Sequence, residues 1–170
     1  MLNFKTIVGR PLNEISRSIR SKIVALSYSA KTPHIGSCLS CVDILVAAYS
    51  TALNNDTQDP LKPERDRFIL SKGHAGLSLY TTLNHFGFIS DELLDGYAQQ
   101  GSPLAEHPIM NPKLGIELSS GSLGHGLSTG VGMALASRIG GLNYRVLVLL
   151  SDGECNEGSV WEAVMLAPSL

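Results

Sequence analysis

Two short apolar runs constrain this chain more than any other feature: Arg67-Phe68-Ile69-Leu70-Ser71 and the segment from Arg145 to Leu150. Each reads as a buried strand, and each empties into a polar turn that carries glycine. The first turn is Lys72-Gly73-His74-Ala75-Gly76. The second is Ser151-Asp152-Gly153-Glu154-Cys155-Asn156-Glu157-Gly158. The residues between the two runs carry helical patterning, and neighbouring parallel strands need crossovers of this kind. The expected architecture is therefore α/β, a parallel sheet with helices on both faces. Ligands on such sheets bind outside the carboxyl ends of the strands, which singles out the same two turns.

The helical segments follow from spacing. Pro11 can open a helix in which Ile15, Ile19, Ile23, Leu26 and Ala30 share one face, with Pro33 as the stop. After a loop from Thr32 to Ser37, the apolar segment from about Leu39 to Leu53 suits one buried helix. Further helices are expected from Leu77 to Phe86, from Ser90 to Tyr97, and from Gly124 to Ile139. The last of these is rich in small residues that permit close packing. A final helix opens near Ser159, a plausible cap. Gln99 to Ser122 reads as a long loop of the functional or disordered kind.

Composition narrows the function classes. With 170 residues, 44% of them hydrophobic and 16% charged, the chain has the make-up of one compact domain. A net charge of −2 gives no general attraction to nucleic acid or to an anionic membrane. The segment Met1 to Val8 lacks the apolar core of a signal peptide, no run is long enough to span a membrane, and the three cysteines make an odd count. A cytoplasmic protein is expected, with no nucleic acid or membrane partner.

Chemistry-bearing residues gather in the loops. An Asp-Gly pair after a strand is ordinarily a turn. At this place Asp152 could equally give a hard oxygen to a divalent cation while Gly153 lets its N–H approach a phosphate oxygen. His34, His74 and His107 each stand beside Gly or Pro at a loop or strand end, the setting of a shared polar cleft able to hold oxygens or move protons. His85 and His125 are assigned to structure. Cys38-Leu39-Ser40-Cys41 lacks the preceding strand of a redox motif and the fourth ligand of a zinc site, so both cysteines read as small buried residues.

These motifs in this order resemble the amino-terminal, thiamine diphosphate-binding part of transketolase, particularly the split transketolases made as separate sections. The matching pieces are Pro33 to Gly36 with Val42 to Leu45, Asp66 to Ala75, Glu106-His107-Pro108, Gly121 to Ser128, and Ser151 to Ala163. The resemblance implies the thiamine diphosphate-binding fold across residues 1–170. It implies that His74 contacts the cofactor diphosphate, and that His34 and His107, as catalytic residues, face substrate hydroxyls and reacting oxygens. Gly121 and Leu123 would lie beside the cofactor rings. Asp152 would be a ligand of magnesium or another divalent cation, and Gly153 would give its N–H to the diphosphate. Glu157 corresponds to a supporting carboxylate at an interface between subunits.

The implied activity is transfer of a two-carbon ketol unit from a ketose to an aldose. The implied partners are a carboxyl-terminal section that supplies the pyrimidine-binding domain, a further copy in an oligomer, and sugars or sugar phosphates. Two departures bear on this. Ser151 stands where the family has glycine, and the family pattern continues past Leu170 to an asparagine that completes the magnesium shell. The expectation is a truncated or frameshifted amino-terminal section, incomplete at its carboxyl end. The alternatives are a non-catalytic remnant or interaction protein, and a related thiamine diphosphate enzyme of the 2-oxo acid dehydrogenase or deoxyxylulose phosphate synthase type.

Overall fold

A computed structural model describes residues 11–170. The reading of Met1 to Val8 lies outside the described residues. The first helix, α1 (Leu12–Ala30), follows Pro11 and buries the face anticipated from its spacing: Ile15, Ile19 and Ile23 are buried, and Leu26 and Ala30 pack against the same core. It stops ahead of Pro33. Lys31 adopts a left-handed conformation (φ 54°), and the Thr32 amide closes onto the Ser27 carbonyl at 3.2 Å.

The segment expected as one helix from Leu39 to Leu53 is broken. It forms α2 (Ile35–Ser40), α3 (Val42–Ala47) and a π-helical turn over Ala48–Ala52. The break falls at Cys41, whose backbone (φ −103°, ψ 2°) leaves the helical range. At this point the Ser37 carbonyl accepts from both the Lys72 ammonium (3.1 Å) and the Cys41 thiol (3.4 Å), contacts that periodicity does not encode. The loop before α2 is correspondingly shorter than expected, ending at His34.

Strand β1 (Arg67–Leu70) pairs in parallel with β2 (Val146–Leu149), in the register Arg67 with Val146 through Leu70 with Leu149. Between them run α4 (Gly76–His85), α5 (Asp91–Asp95) and α6 (Gly126–Ile139). Ser90 caps α5 by accepting from the Leu93 amide at 3.2 Å. The sheet is covered on both faces. Phe68 and Leu70 belong to the core formed with α1, α3 and α4, against which Leu147 and Leu149 also pack. The opposite face meets α6 at Gly130, where an added Cβ would lie 2.6 Å from Val148 and 3.6 Å from Ile69. The small-residue character of α6 thus serves close helix-to-sheet packing.

Two further expectations need correction. β2 is half-exposed along its length, whereas Phe68 to Leu70 of β1 are buried; among the described residues each strand pairs only with the other, and the difference lies in packing, since Phe68 and Leu70 sit within the core while Leu147 and Leu149 only pack against it. The last helix, α7 (Gly158–Leu166), begins before Ser159. The Ser159 hydroxyl donates instead to the Gly124 carbonyl at 2.8 Å. The long segment after Gln99 is mostly loop, in line with its composition, and is pinned by a bridge between Asn111 and Ile116 and by a 3-10 turn over Pro112–Leu114.

At the opposite end of the strands, Asp66 joins their starts. Its carboxylate accepts from the amides of Arg145 (2.7 Å) and Asn54 (2.8 Å) and pairs with the Arg145 guanidinium. Burial alone would raise the pKa of Asp66, but these hydrogen bonds hold it below the usual carboxylate value.

Candidate active site

Four loops converge beyond the carboxyl ends of β1 and β2, and each has a local reason for its path. His34 precedes α2 in a left-handed conformation (φ 68°, ψ 16°), uncommon for a residue with a side chain and a mark of strain kept at functional positions. Gly73 follows β1 with no room for a side chain, since an added Cβ would run into the Ser120 carbonyl and come within 2.7 Å of the Gly121 amide. This contact joins the His74 turn to the Gly121 loop. Gly76 does the same for the third loop, because a Cβ there would meet the Glu106 carbonyl at 2.8 Å.

The three expected histidines come together. The rings of His34 and His74 lie 5.3 Å apart and tilted, and those of His34 and His107 lie 6.2 Å apart and edge-on. Glu106 faces the group, with its Oε1 3.8 Å from His34 Nε2. Burial first, and then the neighbouring His34, Lys72 and His107, lower the pKa of His74 below 6.5. Its imidazole is therefore neutral at physiological pH, with one nitrogen able to accept. Gly121 is exposed beside the His107 ring, whose Cδ2 lies 3.5 Å from where a glycine Cβ would sit, and Leu123 is half-buried in the same loop.

Lys72 and two neighbouring cysteines support this cluster from beneath. Lys72 is buried, and its ammonium donates to the Ser37 carbonyl and to the Ser40 hydroxyl (3.3 Å), which ties the His74 turn to α2. Cys38 directs its thiol toward the His74 carbonyl at 3.8 Å. Burial pushes the Cys38 thiol up to about 11, so it stays protonated and unreactive. Cys38 and Cys41 are buried structural residues, as expected from the sequence.

The turn after β2 presents Asp152 and Gly153 to solvent. An added Cβ at Gly153 would meet nothing within 4 Å, so its backbone can be approached closely. Among the described residues no group of three or more His, Cys, Asp or Glu side chains is arranged to hold a metal ion. Asp152 would thus be one ligand among others supplied by a diphosphate and water, the manner in which magnesium is usually held. A diphosphate fits the donor set here: an open glycine backbone, a neutral imidazole and a single carboxylate for the cation.

Glu154 and Ser71 took no role in the sequence reading, yet they knit the site together. Glu154 is fully buried, and its carboxylate accepts from the Ser71 hydroxyl, the Gly124 amide (2.8 Å) and the Ser151 amide (3.2 Å). The Ser71 hydroxyl in turn accepts from the Gly126 amide at 3.1 Å. Part of this was legible. Ser151 and Glu154 have the spacing of a capping box, and they form it reciprocally: the Glu154 amide donates to Ser151 Oγ at 3.2 Å. The serine that replaces the glycine of the resemblance is thereby accounted for.

Known proteins resemble this chain in sequence and in fold. Residues 13–170 match the family described as transketolase, thiamine diphosphate binding domain. The chain is 45% identical over 150 residues to one subunit of the apulose-4-phosphate transketolase of Phocaeicola vulgatus, covering 88% of this chain and 53% of that protein. It is 36% identical over 158 residues to the transketolase of Homo sapiens, covering 92% of this chain and 25% of that protein. The chain thus spans about half the length of the split relative and a quarter of the undivided one. The fold superimposes on the transketolase of Leishmania mexicana with a TM-score of 0.85 at 27% identity, covering 93% of this chain and 25% of that one. For the transketolase of Campylobacter jejuni the TM-score is 0.83 at 30% identity, covering 92% and 26%. By sequence and by fold, the chain belongs to the transketolase family, through its thiamine diphosphate-binding domain.

Proposed function

We propose that this chain acts as the diphosphate-side, amino-terminal part of a split transketolase that moves a two-carbon ketol unit from a ketose to an aldose. The observation that carries the reading is the convergence of His34, His74 and His107 beside the Gly121 loop at the carboxyl ends of both strands. Bound there, thiamine diphosphate with magnesium or another divalent cation would supply the carbon nucleophile and electron sink that ketol transfer requires. Asp152 would hold the cation, and the Gly153 N–H would meet the diphosphate. Neutral His74 would donate its ring N–H to a diphosphate oxygen. Gly121 and Leu123 would line the cofactor rings. His34 and His107 would orient the sugar hydroxyls and exchange protons at the reacting oxygens, with Glu106 facing His34.

The partner in this reading is a carboxyl-terminal section carrying the pyrimidine-binding domain, within an oligomer. Support comes from relatives that are themselves subunits, including the 6-deoxy-6-sulfo-D-fructose transketolase subunit of a Clostridium species, 42% identical over 134 residues and covering 79% of this chain and 49% of that protein. The sugar named there and the apulose phosphate of the Phocaeicola relative support a sugar or sugar phosphate as the substrate class. A cytoplasmic setting belongs to the same proposal and agrees with three free thiols, Cys38, Cys41 and Cys155. Among the described residues no helix is long and apolar enough to cross a membrane.

The test is calorimetric titration of thiamine diphosphate and magnesium into the chain with its carboxyl-terminal partner, followed by a ketol-transfer assay on a panel of ketoses. Saturable heat and turnover are expected. An absence of heat in the assembled pair defeats the proposal and leaves a non-catalytic interaction protein as the reading. Asp152→Ala should abolish magnesium-dependent binding; activity that survives it means that the metal ligand lies elsewhere.

A further inference from the structure

The buried carboxylate of Glu154 lies between two turns that the proposed function assigns to opposite ends of one ligand. Its three donors come from three separate segments: Ser71 at the end of β1, Gly124 in the loop before α6, and Ser151 at the end of β2. Gly124 is held on both sides, because its N–H donates to Glu154 and its carbonyl accepts from Ser159 at 2.8 Å. It also has φ of +85°, and an added Cβ would meet Ser159 Oγ at 2.6 Å and the Glu157 Cβ at 2.8 Å. The Gly126 amide reaches the same carboxylate through Ser71. A fully buried carboxylate facing three donors from three segments is costly to leave unpaired. Any movement of one turn relative to the others therefore breaks hydrogen bonds to a charged group.

We propose that Glu154 is a positioning residue: it locks the Asp152–Gly153 turn to the Gly121–Gly126 loop, so that the diphosphate end and the ring end of the candidate site keep one fixed spacing. The locking follows from the hydrogen bonds alone, while its meaning for a cofactor rests on the function proposed above. Glu154 is placed to act through its neighbours, since its side chain is sealed from solvent. Ser151 belongs to the same device. Its hydroxyl and amide close a reciprocal pair with Glu154, in which the Ser151 amide takes one carboxylate oxygen and leaves the other to Ser71 and Gly124.

The test combines hydrogen exchange on the full chain with titration of thiamine diphosphate and magnesium into the chain assembled with its partner, for the wild type, Glu154→Ala, Glu154→Gln and Ser151→Gly. Glu154→Ala should speed exchange of amides in 121–126 and in 151–154 together by ~10-fold or more, with the amides of α1 and α4 at wild-type rates. Glu154→Gln keeps an oxygen for part of the donor set and should give an intermediate effect. Ser151→Gly keeps the carboxylate and should loosen chiefly 151–154. If Glu154→Ala does not fold, the Gln and Ser151→Gly variants carry the comparison. Cofactor affinity should fall by ~10-fold or more in Glu154→Gln, beyond any change in melting temperature.

In Glu154→Ala, or in Glu154→Gln if the alanine variant does not fold, exchange that stays at the wild-type rate in either loop overturns the lock, as does exchange that rises by the same factor in α1 and α4. Unchanged cofactor affinity in a variant whose loops have loosened overturns the positioning role. If the wild-type pair binds no cofactor while the two loops loosen together, the lock stands and the cofactor reading falls.

Discussion

At the scale of single residues, the glycines divide into those the packing requires and those the ligand would require. Gly126 lies against Ser71, whose Cα would stand 2.8 Å from an added methyl group, with Ser71 Oγ closer still. Gly126→Ala should therefore destabilise the chain by about 1–3 kcal/mol, the cost of overpacking a tight contact. Gly153→Ala meets open space and should stay within about 0.5 kcal/mol of the wild type. Denaturant titration of the two variants separates these cases, and cofactor titration of Gly153→Ala asks whether open backbone there serves binding.

His74 adds a dependence on pH. Because its pKa is lowered in the fold, the folded chain binds fewer protons than the unfolded chain just below pH 6.5. Stability therefore rises with pH across that window, is complete above about 6.5, and is lost as pH falls through the folded pKa. Melting curves between pH 7.5 and 5 should show this loss, and His74→Gln should make the curve flatter. An unaltered slope in the variant assigns the loss to other groups.

At the scale of elements, the apolar face of α1 stabilises the helical layer while its charges contribute little. Ile19 is 1% exposed in the middle of that face. Ile19→Ala should cost about 2–5 kcal/mol through lost burial and the cavity left behind. Arg20 and Asp43 join α1 to α3 by a two-pronged ion pair, but it stands in solvent, and Asp43→Asn should cost no more than about 1 kcal/mol. Urea denaturation of both variants checks the contrast, which reverses if the helix layer is held mainly by charge. The break between α2 and α3 has the opposite origin, in groups from distant segments: the Lys72 ammonium on the Ser37 carbonyl and the Ser78 hydroxyl against the Cys41 thiol.

At the scale of the molecule, one side is closed and the other open. The face of the sheet toward α1, α3 and α4 is a filled core. On the side of α6, a cleft of about 300 Å³ opens between Leu127, Val131, Leu135, Val148 and Leu170. Ile139 and Met165 are 79% and 70% exposed. Exposed apolar surface of this kind drives association. The chain on its own should self-associate as concentration rises, and the pair Ile139→Lys with Met165→Lys should weaken this without a large change in melting temperature. Sedimentation velocity checks it; a concentration-independent monomer in the wild type contradicts the expectation.

Short-range physics accounts for everything that could be read from the residues in order. The 3- and 4-residue spacing set the buried face of α1, the apolar runs set both strands, and the glycine turns after them set where a ligand would sit. The family was legible in the order of the motifs. Groups far apart in the chain meet only once it is folded: His34 with His74 and His107, the contacts that interrupt the helix at Cys41, the half-exposed β2, and the carboxylate of Glu154 among Ser71, Gly124 and Ser151. The capping-box spacing announced one of those three partners. The other two depend on how β1 and the loop before α6 pack beside β2, and no local propensity encodes that distance.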